Sequence, residues 1–158
     1  MNGKMTPIMN DPYDAFKLVR ITDDLVYFIA APDRPTDRYL YSVPLAGGKS
    51  KRLTPAEFTG WNSDDISPDG KIAFHTHSQF GQPPTTHLIE LPTHQITREI
   101  ISNKKARSEI SKLPPVESEF TRVNADDGTP LDVWIMKPQD FDPALKYPMI
   151  VYVYGEPW

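Results

Sequence analysis

Apolar and polar positions alternate over short stretches of this chain, and glycine and proline break each stretch, a pattern of strands between turns rather than of helices. The first strong unit is Leu25 to Ala31, Leu-Val-Tyr-Phe-Ile-Ala-Ala, followed by the turn-rich Pro32-Asp33-Arg34-Pro35-Thr36-Asp37. Arg38 to Leu45 then reads as a second strand, and Ala46-Gly47-Gly48-Lys49 turns the chain into Lys51-Arg52-Leu53-Thr54, which predicts an antiparallel meander of three short strands. Trp61 onward leads through Ser67-Pro68-Asp69-Gly70 into Lys71 to His77. Proline second and glycine fourth in that tetrapeptide suit a type I turn, so a hairpin is expected. Gly81-Gln82-Pro83-Pro84 reads as a loop, and Thr86 to Leu91 with Gln95 to Ile101 predict two further strands around Pro92-Thr93-His94.

These patterns return about every 40 to 50 residues, the spacing produced by propeller blades built as four-stranded meanders. About two blades fit, and repeat architectures need neighbouring units to bury their faces. Further on, Asn103 predicts the cap of a short helix over Lys104 to Leu113, ended by Pro114-Pro115. The double proline also marks a linker. Beyond it, Ser118 to Asn124 and Leu131 to Met136 flank Ala125-Asp126-Asp127-Gly128-Thr129, whose Asp-Gly step signals a hairpin. The apolar run Met149 to Tyr154 predicts a strand covered on both faces, with Gly155 and Pro157 supplying a turn after it.

Composition agrees with a mainly β chain. Seventeen prolines in 158 residues are about double the ordinary share. A net charge of −4 with both signs interspersed offers no basic face, so neither nucleic acid nor anionic lipid is expected as a partner. There is no cysteine, which excludes disulfides, thiolate catalysis and cysteine-ligated zinc. The N-terminal residues lack the apolar stretch of a signal peptide, and no run approaches the roughly 18 apolar residues of a membrane span.

Several segments resemble one family in one order. Arg38-Tyr39-Leu40-Tyr41-Ser42-Val43 with Ala46-Gly47-Gly48 and Lys51-Arg52-Leu53-Thr54, then Gly60-Trp61 with Ser67-Pro68-Asp69-Gly70, resemble the last propeller blades of the dipeptidyl peptidase IV branch of the prolyl oligopeptidase family. Gly81-Gln82-Pro83-Pro84-Thr85 resembles the loop that follows. Glu119-Phe120-Thr121, Asp127-Gly128-Thr129, Lys137-Pro138 and Lys146-Tyr147-Pro148 through Pro157 look like the opening of its α/β-hydrolase domain. Tyr154 selects that branch, since related acylaminoacyl peptidases tend to carry His there.

The resemblance implies residues 1–115 as the C-terminal part of a β-propeller with a short linker helix, and 116–158 as the first strands of an α/β-hydrolase domain. It implies a serine-type parent that hydrolyses peptides and releases N-terminal dipeptides with proline or alanine second, with no cofactor. In the family a Ser-His-Asp triad does the chemistry, and the tyrosine matching Tyr154 donates its hydroxyl to the oxyanion. The chain carries no Gly-x-Ser-x-Gly elbow, so these residues alone are expected to be inactive. Glu156 departs from the glycine usual in the family. A homodimer, and a periplasmic, secreted or membrane-anchored location, stay open for the parent. The alternative from another class is a non-catalytic β-rich module that binds protein.

Other candidates have simpler readings. His75 and His77 stand two apart on a strand and so share a face, which is metal-ligand spacing. No third ligand is evident nearby, so two histidines on an exposed strand face, and no metal, are expected. Asp64-Asp65 and Asp126-Asp127 are read as turn residues capping backbone N–H groups. Lys104-Lys105-Ala106-Arg107 is read as a solvated helix face, and Trp61 and Trp134 as core residues.

Overall fold

In the computed structural model, which describes residue 3 and residues 5–153, the chain forms two compact units, Met1–Ser111 and Lys112–Trp158. The first holds two four-stranded antiparallel sheets in sequential order. One contains β1 (Ala15–Ile21), β2 (Leu25–Ala30), β3 (Tyr39–Pro44) and β4 (Lys51–Arg52). The other contains β5 (Trp61–Ile66), β6 (Ile72–Gln79), β7 (Gln82–Glu90) and β8 (Gln95–Ile101). Two consecutive four-stranded meanders are the blade unit expected from the repeat spacing.

The predicted first meander gains a strand. β1 pairs with β2 through two irregularities, between Ala15 and Lys17 and between Leu18 and Arg20. Bulges and the charged Lys17 and Arg20 are how sheet edges are blunted against further pairing. Phe16 and Leu18 remain more than half exposed, so the strand has no clean buried period to betray it.

β2 and β3 are buried on both faces. Tyr27, Ile29 and Leu40 turn toward the second sheet, where they pack with Leu53, Ile66, Ala73 and Ile89. Val26, Phe28, Ala30, Tyr39, Tyr41 and Val43 form the other face, covered by Ile8, Met9 and Tyr13 of the N-terminal segment. That segment is tied down by Gly48 N–H donating to the Ile8 carbonyl (3.0 Å) and by a hydrogen bond between Tyr13 and Ser50.

Polar contacts fix the two sheets in register. Asn62, 1% exposed, donates its amide to the carbonyls of Arg38 and Phe58, both at 2.8 Å. Arg20 donates to the Ile66 carbonyl at 2.8 Å. The turn after β5 has the expected type I bond, Gly70 N–H to the Ser67 carbonyl at 2.9 Å. Its tip rests on the first sheet, where the Tyr27 hydroxyl donates to the Gly70 carbonyl at 3.3 Å.

Four expectations are corrected. Gln82-Pro83-Pro84 belongs to β7, because the turn is made by Phe80-Gly81; the two prolines fall where the β6 register shifts and before β8 pairing begins at Thr86, so no ladder donor is lost. The helix α1 is shorter, Lys104–Ile110, and Asn103 makes no side-chain cap because its φ is 48° and its amide donates instead to the Pro84 carbonyl at 2.7 Å. Trp61 is 56% exposed, with the Arg38 guanidinium 5.0 Å from its ring centre, rather than filling a core. Residues 149–153 form no strand and are exposed, Ile150 at 97%, since no described strand pairs with them.

The second unit holds the predicted hairpin, β9 (Glu117–Asn124) and β10 (Pro130–Lys137), in unbroken register from Pro130–Asn124 to Lys137–Glu117. Its turn is capped as expected, Thr129 N–H donating to Asp127 Oδ1 at 2.9 Å. A two-stranded ribbon buries little, so Trp134, read as a core residue, is 42% exposed and stacks on Phe120 at 6.1 Å between ring centres.

Two substitutions check this packing. Leu40 is fully buried in the core between the sheets, and Leu40→Ala is expected to destabilise the first unit by about 2–5 kcal/mol in urea unfolding. At Gly70 φ is 70° and an added Cβ would come within 2.8 Å of Thr22 Cγ2. Gly70→Ala is expected to lower stability by about 1–3 kcal/mol, and an unchanged midpoint would contradict the docked turn.

Candidate functional site

The inward face of the second sheet changes character along its strands. Ile66, Ala73 and Ile89 are in mutual register and apolar. Two positions along each strand the same face recurs, and here it presents Asp64 opposite His75 opposite His87. Glu99 of β8 is opposite His87 and extends the row to the sheet edge. A row of ionisable side chains thus lies beside a row of hydrophobic ones.

His94 reaches this row from the turn between β7 and β8. Its backbone has φ 60°, a left-handed conformation that is uncommon outside glycine, and its side chain is buried at 4% exposure. Its ring centre lies 4.4 Å from that of His75 in an edge-on arrangement, and Phe58 packs against both rings at 5.1 and 5.5 Å. Phe58 also touches His77, which is half-buried and donates from Nε2 to the Thr59 carbonyl at 2.7 Å.

The side chains of Asp64 and His75 have no solvent exposure, and His75 Nδ1 donates to Asp64 Oδ1 at 2.9 Å. Beyond that one bond, Asp64 Oδ2, His75 Nε2 and both ring nitrogens of His94 are buried without a hydrogen-bond partner among the described residues. Asp64, His75 and His94 can each offer one ligand atom with all of them within 4.8 Å of one another.

Two readings of the sequence are therefore corrected. Asp64 and Asp65 lie in β5, not in a turn, because the strand runs to Ile66 before Ser67 turns. The face shared by His75 and His77 is not exposed, and two partners for His75 stand beside it, Asp64 across the strand pair and His94 from a turn 19 residues later in the chain. Only the hairpin register around Ser67-Pro68-Asp69-Gly70 was available as a signal for Asp64. Nothing in the spacing of His94 announces it, since a turn that folds back over a sheet leaves no period.

Burial, with the neighbouring His75 adding to it, pushes the His94 pKa down to about 4. His87 is also pushed down, by burial first and His75 second. A cleft of about 240 Å³ lined by Arg20, Asp65, Pro68, Phe74 and Leu88 contains none of the cluster. Tyr154 and Glu156 lie outside the described residues.

Comparison with known proteins bears on the same region. Residues 13–84 match the dipeptidyl peptidase IV N-terminal region. The chain is also 28% identical over 167 residues to a probable dipeptidyl-aminopeptidase B of Talaromyces marneffei, covering 98% of the chain and 18% of that protein. A protein of the same description in Aspergillus clavatus is 32% identical over 146 residues, covering 91% of the chain and 16% of the relative. The chain thus spans less than a fifth of the length of these curated relatives. The crystal structure of Porphyromonas gingivalis dipeptidyl peptidase 4 superposes with a TM-score of 0.80 at 24% identity, over 89% of this chain and 20% of that one. These similarities support the dipeptidyl peptidase IV family, and the mainly antiparallel fold matches that structure.

The depressed His94 pKa has a stability consequence. An unfolded histidine takes a proton near pH 6.5 while the folded His94 waits until about pH 4, so between these values the unfolded chain binds more protons. Unfolding free energy should then fall as pH drops through that window, with His94 contributing about 3 kcal/mol. Urea unfolding of chelator-treated protein should show this loss, and His94→Phe should remove that share of it. Equal slopes for the two proteins would contradict the burial of His94.

Proposed function

We propose that the chain is part of a serine-type dipeptidyl peptidase, with residues 1–115 the end of its propeller and 116–158 the opening strands of its α/β-hydrolase domain. What carries the reading is that the similarity to proteins described as dipeptidyl-aminopeptidases runs through 91–98% of the chain, across both compact units. Its substrate would be a peptide with a free N-terminus, from which a dipeptide with proline or alanine second is released.

In this reading the propeller residues are scaffold. Catalysis rests on a Ser-His-Asp triad in which histidine deprotonates serine for attack on the amide carbonyl, and aspartate holds the imidazolium. None of the 158 residues forms a Gly-x-Ser-x-Gly elbow, so the nucleophile is assigned to sequence outside them. The one residue here given a catalytic part is Tyr154. Its hydroxyl would donate to the oxygen that gains negative charge as the carbonyl becomes tetrahedral, an interaction stronger in the transition state than in the substrate. Glu156, two residues on, adds a carboxylate where the resemblance expects glycine, which would oppose that charge.

The test uses the chain joined to its natural flanking sequence on both sides. Such a protein should cleave a Gly-Pro chromogenic amide, and Tyr154→Phe should lower kcat by about 10²–10³ with little change in KM. The 158 residues alone should give no turnover. Wild-type activity in Tyr154→Phe would overturn the oxyanion assignment, and an extended protein unable to cleave any dipeptidyl amide would overturn the peptidase reading.

A further inference from the structure

We propose that Asp64, His75 and His94 form a binding site for a divalent transition-metal ion of the zinc class. The inference stands apart from the peptidase reading, since it rests only on this buried cluster in the second sheet.

The first support is the sign of the unpartnered groups. The His75 nitrogen that faces Asp64 is Nδ1, 2.9 Å from Oδ1, so an ion bound by both side chains would take the place of the Nδ1 proton. Asp64 Oδ2 is an acceptor, and His94 carries a lone pair on one nitrogen in either neutral tautomer. Asp64 Oδ2 and both His94 nitrogens have no hydrogen-bond partner among the described residues, and the three side chains are between 0% and 4% exposed. Acceptors converging in a buried space repel one another unless a donor or a cation stands among them. Arg20, which reaches the second sheet from β1, directs its Nη2 to the Ile66 carbonyl.

The second support is the ligand chemistry. Two imidazoles and one carboxylate suit zinc, cobalt or nickel, whereas magnesium and calcium favour all-oxygen sets. A metal–nitrogen distance of 2.0–2.1 Å would place tetrahedral ligand atoms about 3.4 Å apart. The three ligand atoms lie within 4.8 Å of one another, so closure by about 1.5 Å or less assembles the site. The turn that carries His94 can make such a movement more readily than the paired strands can. Phe58, packed edge-on to His75 and tilted on His94, shields the cluster on one side.

Cobalt(II) is the probe. Added to the metal-free 158-residue chain, it should bind with one-to-one stoichiometry and develop visible d–d absorption, and zinc should displace it and raise Tm. His94→Phe keeps a ring of similar size but no ligand atom and should weaken cobalt binding by about 100-fold or more, while His94→Cys should retain it. Asp64→Asn should weaken binding about 10–100-fold. If His94→Phe fails to fold, the wild-type response decides. No d–d absorption and no Tm shift in the wild type overturns the site, as does undiminished binding in a folded His94→Phe chain.

Discussion

The interface between the two sheets is the constraint on which the first unit depends. A four-stranded meander has two faces and cannot bury both by itself, so β2 and β3 need the second sheet on one side and the N-terminal segment on the other. The apolar contact of Leu40, Tyr27 and Ile29 with Ile66, Ala73 and Ile89 supplies the non-directional part of that association. Its register is set by directional bonds: Asn62 to Arg38 and Phe58, Arg20 to Ile66, and Tyr27 to the glycine turn. Because a strand repeats every two residues, fixing Ile66, Ala73 and Ile89 inward also fixes Asp64, His75 and His87 inward. The polar cluster is therefore a consequence of the apolar interface, one period along the same strands.

Much of this was legible in the chain. Leu25 to Ala30, Tyr39 to Pro44 and the two arms around Ser67-Pro68-Asp69-Gly70 declare themselves because their apolar runs are bounded by turn chemistry. What escaped has a physical reason in each case. β1 is an edge strand with bulges and exposed Phe16 and Leu18, so no clean alternation marks it. Pro83 and Pro84 look like loop residues because a paired strand would lose donors there, yet a register shift leaves those positions without ladder bonds to lose. Asp64 was obscured by composition, since Asn-Ser-Asp-Asp reads as a turn until the inward register of Ile66 is known. His94 depends wholly on tertiary folding of its turn, and Tyr154, the one catalytic candidate, lies outside the described residues.

The second unit shows the complementary limit. Its hairpin is specified locally by Asp127-Gly128 and forms with continuous register, but two strands leave Phe120, Leu131, Trp134 and Met136 between 42% and 63% exposed. The apolar run at 149–153 is more exposed still. Hydrophobicity can specify that a segment prefers burial, whereas a strand also requires a neighbour to accept its hydrogen bonds. No described strand offers that edge to 149–153, so the segment keeps the composition of a buried strand without its structure.

The buried cluster bears on how much stability the first unit can hold. Each polar group buried without a partner costs about 1–3 kcal/mol, and Asp64, His75 and His94 each present at least one. Together they approach the 5–15 kcal/mol that separates a folded domain from its unfolded chain. Two residues along, the same strands place the apolar Ile66, Ala73 and Ile89 on this face. Ion coordination offsets the desolvation of all three side chains at once. On that ground the metal and the sheet interface would support each other: the interface holds Asp64 and His75 inward, and the ion draws the His94 turn onto them.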